Sequence, residues 1–94
     1  MNTEIDFTLR CFARASAERG VDTLSLMRAE YRLRLNLMVE RGYGDAASLN
    51  AEASEWASDG LGPCPDDRLE RAAWWTVGLG MVQAQHEYRD PNLA

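Results

Sequence analysis

From Ala72 to His86 the chain carries no Asp, Glu, Lys or Arg, and Trp74 and Trp75 stand side by side within that run. A bilayer span needs about 20 predominantly apolar residues. This run is shorter and contains Gly78, Gly80, Gln83 and Gln85. It is expected to be a buried helix of a soluble protein, with no membrane attachment. Neighbouring residues on a helix lie about 100° apart, so two adjacent tryptophans cannot serve one stripe. Trp74 falls with Val77, Met81, Ala84 and Tyr88 on one face. Trp75 falls with Ala72, Leu79, Val82 and His86 on another. A helix of this kind needs apolar cover on two sides.

Glycine and proline divide the rest of the chain. Gly20, Gly42 and Gly60 each follow a stretch with helical periodicity. The connector Leu61-Gly-Pro-Cys-Pro65 is stiffened by two prolines, which fix φ and break helices. Four helices are expected, over about 4–19, 23–41, 46–59 and 67–89. Their N-caps are read as Thr3, Asp22 or Thr23, Asp45, and Asp66 or Asp67, since short polar side chains satisfy the free N–H groups of a first turn. Pro91 should follow the end of the last helix. No stretch shows the period-2 alternation of a strand. The fold class is therefore all-α, a single four-helix domain over residues 1–94, arranged as a compact bundle or helical stack.

The first and third helices read as one-sided: Ile5, Leu9 and Phe12 form a stripe in one, Leu49, Ala53 and Trp56 in the other. The second resembles the fourth in having two faces. Leu24, Met27, Tyr31, Leu35 and Met38 make one stripe, and Leu26, Leu33 and Leu37 another about 140° away. A bundle helix normally buries about three positions in seven. Two such helices exceed what one small bundle can cover, so a second chain is expected over one face, most simply in a homodimer. The face assigned to that chain is Trp75, Leu79, Val82 and His86, because the histidine gives it a polar tip. Gly78 and Gly80 suggest close helix approach, since each costs about 1 kcal/mol of helix propensity.

The sequence offers little chemistry. There is one histidine, and no lysine. Val77-Gly-Leu-Gly80 follows no strand and lacks a third glycine, so it is not a dinucleotide fingerprint. The Glu-x-x-His pattern of a bundle metal site fails because position 83 is Gln. Cys11 and Cys64 match no metal spacing and read as reduced thiols. No catalytic residue, cofactor or metal is expected. Met1-Asn-Thr-Glu-Ile-Asp6 lacks the basic start and apolar run of a signal peptide, so a cytoplasmic location is expected.

Charge is more informative. The net charge is −5, unevenly spread. Glu52, Glu55, Asp59, Asp66, Asp67 and Glu70 follow one another with Arg68 as the only opposing charge. Glu52, Glu55 and Asp59 share one helical face. This acidic patch is expected to dock on a basic protein surface, such as that of a nucleic-acid-handling protein, with complementarity raising the on-rate. In size and charge, though in no residue motif, the chain resembles phage-encoded inhibitors, including anti-CRISPR proteins. That resemblance implies a non-enzymatic inhibitor or adaptor. The alternative is a helical regulator that binds nucleic acid or phosphate through an arginine face of Arg10, Arg14, Arg28 and Arg32. Direct contact with nucleic acid is less expected, because a net acidic chain repels a polyanion.

Overall fold

The computed structural model describes residues 2–89. Four helices run in order: α1 Thr3–Arg19, α2 Thr23–Glu40, α3 Ala46–Leu61 and α4 Arg68–Arg89. No strand occurs among the described residues. Pro91, expected just past α4, lies outside them. Among the described residues no helix is long and apolar enough to cross a membrane.

Local chemistry sets most helix ends. Asn2, not Thr3, caps α1: its Oδ1 accepts from Glu4 N at 3.0 Å and Ile5 N at 3.1 Å. Its Nδ2 also donates to Leu61 O at 3.5 Å, tying α1 to the end of α3. Asp22, Asp45 and Asp67 accept from the amides of Ser25, Ser48 and Glu70, each at the start of its helix. Gly20 closes α1 at φ 67°, a left-handed conformation natural to glycine. The last turn of α3 departs from expectation. The helix runs through Gly60 to Leu61 and is closed by Gly62. Tertiary contacts carry it there: Leu61 packs on the core, and Trp74 Nε1 donates to Gly62 O at 3.0 Å.

α4 is the central element. It packs against α1, α2 and α3, most extensively against α3. One core cluster joins Ile5, Met27, Ala57, Ala73 and Trp74, and the other joins Met38, Leu49, Ala53, Leu79 and Val82. Trp75 packs against both. This arrangement corrects the assignment of the Trp75 face to a second chain. Leu79 and Val82 are fully buried within this chain, Trp75 and His86 partly so. The physical reason is position: a helix surrounded by three others has two covered sides, whereas a corner helix of a regular bundle has one. The uncovered apolar stripe belongs to α2 instead, where Leu33 and Leu37 are exposed.

The α3–α4 seam explains a second correction. Gly78 is buried, and a Cβ placed on it would run into the Ala53 carbonyl and sit 2.9 Å from Ala57 Cβ. The backbones approach too closely for a large side chain. The buried stripe of α3 is therefore Leu49, Ala53 and Ala57, and Trp56, expected inside, is 40% exposed. Gly80 faces only the Arg34 side chain. Every buried side-chain nitrogen and oxygen among the described residues has a hydrogen-bond partner. Ser16 Oγ, for example, bonds Ala13 O at 2.9 Å and Thr23 Oγ1 at 2.8 Å, joining α1 to α2.

Candidate functional site

An open groove of about 570 Å³ lies between α2 and α4, with Asn50 of α3 reaching into it. Its floor is made of buried and partly buried side chains: Leu24, Met27 and Leu35 from α2, Ala72 and Trp75 from α4. Its rims are exposed arginines. Arg28 and Arg32 stand on α2, and Arg68 and Arg71 on α4. Helical spacing puts them there. Positions 24, 28, 31, 32 and 35 fall on one side of α2, and 68, 71, 72 and 75 repeat at i, i+3, i+4 and i+7 on α4.

The floor is held rigidly. Trp75 meets Tyr31 edge-to-face at 6.3 Å between centroids, and meets Trp74 edge-to-face at 5.2 Å. Tyr31 Oη donates to Asn50 Oδ1 at 2.5 Å. Burial pushes the Tyr31 phenol up to about 12, so it stays a neutral donor at ordinary pH. Thr76 Oγ1 donates to Ala72 O at 2.8 Å.

The electrostatics of the groove oppose those of the chain. Carboxylate pairs among the described residues are made by Arg14 with Glu18, Arg41 with Glu87, and His86 with Glu52. None of the four groove arginines takes part in one. Arg71 is anchored otherwise, by Nε to Pro65 O at 3.1 Å and Nη2 to Asp66 O at 3.5 Å. The stiff connector thus fixes one guanidinium at the rim. Asp22 is held below the usual carboxylate range first by hydrogen bonds from the Ser25 amide and hydroxyl, and last by the field of Arg68.

The expected sites are redistributed. The basic face divides: Arg28 and Arg32 join the groove, while Arg10 and Arg14 stay exposed on α1 and do not line it. Arg68 and Arg71, which complete the groove, were absent from the expected basic face. The i, i+3, i+4, i+7 run Arg68, Arg71, Ala72, Trp75 was the available signal. Of the acidic patch, Glu55 and Asp59 are exposed on α3 and Glu52 is half-buried toward α4, with the exposed Trp56 within one helical turn of all three. Glu52 is engaged, its Oε2 accepting from His86 Nε2 at 3.2 Å, and the His86 ring stacks on Tyr43 at 4.9 Å. Asp66, Asp67 and Glu70 are exposed on the connector and first turn of α4, with the Asp67 side chain used as a cap. Cys11 and Cys64 are free and exposed. No group of metal-ligating side chains occurs among the described residues.

Fold and site together define a small all-α domain that carries an arginine-rimmed, aromatic-floored groove. Set against known proteins, the chain matches no family model, no curated protein and no solved structure.

Proposed function

We propose that the protein is a non-enzymatic interaction module, working as an inhibitor or adaptor, that recognises an anionic surface of its partner through the α2–α4 groove. One observation carries this reading. A chain of net charge −5 places four arginines, none in a carboxylate pair among the described residues, around one apolar concavity. Exposed guanidiniums outside any carboxylate pair are suited to capturing carboxylate or phosphate oxygens bidentately. Binding rather than catalysis fits the lining. No carboxylate, imidazole or thiol borders the groove, and its two hydroxyls are occupied in internal hydrogen bonds. The test is a titration with poly-L-glutamate followed by tryptophan fluorescence, since Trp75 lies in the floor. Saturable binding that weakens with added salt and falls about tenfold in Arg28→Glu/Arg32→Glu is expected. No response in the wild-type protein would sink the reading.

A second reading is favoured by Trp56. It is 40% exposed and flanked on α3 by Glu55 and Asp59, so it suits an aromatic anchor on an acidic face that docks on a basic partner. Trp56→Ala and Glu55→Lys/Asp59→Lys should then each reduce capture of a basic partner while the far-ultraviolet spectrum stays that of the folded parent. Unchanged capture would leave this face as solvated surface.

A further inference from the structure

We infer that the occupant of the groove is an acidic amphipathic helix of a partner protein, about three turns long. The inference rests on the groove being the recognition site proposed above. Length comes first. From Leu24 to Leu35 the α2 wall covers about 16 Å at 1.5 Å per residue, which is three helical turns. The rims repeat at the same period. Arg28 and Arg32 are one turn apart on one side, and Arg68 and Arg71 one turn apart on the other. A helix with a central apolar stripe and acids on both flanks would place its stripe on Leu24, Leu35 and Trp75, and would offer carboxylates to both rims at matching intervals.

The hydrogen-bonding character of the groove selects among anionic occupants. Its four guanidiniums bring about twenty N–H donors, two of which Arg71 already spends on Pro65 O and Asp66 O, and no acceptor. The side-chain acceptors are few: Asn50 Oδ1, which already accepts from Tyr31, and the hydroxyl oxygens of Tyr31 and Thr76. The helical walls have spent their backbone groups internally. An extended peptide would bring a row of backbone N–H groups that outnumber these acceptors, at a cost for each one left unpaired. A helix arrives with its own backbone satisfied and presents only carboxylate acceptors. Nucleobases present donors as well as acceptors, and the groove offers few acceptors to meet those donors. The apolar floor would also be wasted on a phosphate backbone.

The probe is a blocked synthetic peptide of three to four turns, with Leu at i, i+3, i+4 and i+7 and Glu on both flanks. Three controls accompany it: the same residues scrambled out of register, the same peptide with Lys for Glu, and single-stranded oligo-dT. The wild-type protein is expected to bind the acidic amphipathic peptide, with a gain of helical circular dichroism and an affinity that falls with salt. Arg28→Glu/Arg32→Glu and, separately, Arg68→Glu should each weaken it about tenfold. The Lys peptide should bind the double variant better than the wild type. These side chains are exposed and outside carboxylate pairs, so the variants should keep the parent's far-ultraviolet spectrum, which is checked first.

Equal binding of the scrambled peptide overturns the helical occupant. Oligo-dT binding in place of the peptide overturns it in favour of nucleic acid, and leaves the groove as the anion site. A dimer at low salt that the arginine variants dissociate overturns it in favour of a second copy of this chain. Failure of every probe, poly-L-glutamate included, removes the inference and the proposed function together.

Discussion

Gly78 and Gly80 are two residues apart on one helix, yet they should respond oppositely to the same change. At Gly78 an added methyl collides with the backbone carbonyl of Ala53, which cannot move without shifting α3. Gly78→Ala should therefore destabilise by about 1–3 kcal/mol. At Gly80 the methyl would meet only Arg34 Nη1, at 3.0 Å, the far end of a flexible side chain. Gly80→Ala should be neutral or stabilise by up to about 1 kcal/mol through helix propensity. Denaturant midpoints of the two variants check this; equal losses would mean that α3 and α4 are not in backbone contact at Gly78. Tyr31 supports a pH prediction. Its folded pKa, about 12, lies above the unfolded value of 10.0. Its contribution to stability is thus complete below pH 10 and is lost as pH rises through 12. Tyr31→Phe should flatten the alkaline limb of the stability profile, measured by chemical denaturation across that range.

At the scale of elements, the helices differ in how much of their apolar surface the fold uses. α4 has both faces covered, so Leu79→Ala should cost about 2–5 kcal/mol. α2 has one face covered, and Leu33 is 66% exposed. Leu33→Gln should fall within about 0.5 kcal/mol of the parent. Thermal melts of the pair distinguish a face turned inward from one turned outward. The caps give a further expectation. Asp22 and Asp45 have pKa values lowered chiefly by the amides of Ser25 and Ser48. Depressed carboxylates stabilise above their unfolded pKa, and that contribution disappears as pH falls through the folded value. Stability should drop on the acid side below about pH 4, and Asp22→Asn should make that limb shallower.

On the scale of the whole molecule, charge is segregated rather than averaged. Arginines from two helices far apart in sequence meet across one groove, while acids occupy the outer side of α3 and the connector. The connector links the two regions: Pro65 and Asp66 offer carbonyls to Arg71 beside the acidic run. Exchanging both prolines for alanine should loosen that rim. Groove affinity should then fall while its salt dependence persists, as titration at two ionic strengths would show. Salt-independent residual binding would place the contact elsewhere.

Helix number, helix type and nearly every boundary were legible in the chain, because capping and glycine termination act over three or four residues. The need of the charge-free segment for cover on two sides was legible too, since it follows from the angle between neighbouring residues. Which neighbours supply that cover was not, because periodicity describes one helix at a time and says nothing about its place among the others. Ala57 and Trp56 exchanged roles for the same reason: the distance between two backbones, set by Gly78 against Ala53, decides which side chain fits the seam. The arginine groove shows the division most clearly. Sequence alone determined that Arg28 and Arg32 share a side of α2 with Tyr31, and that Arg68 and Arg71 share a side of α4 with Trp75. Only the tertiary structure brought the two sides together, because long-range packing of α2 on α4 is a property of the assembled core and not of either helix.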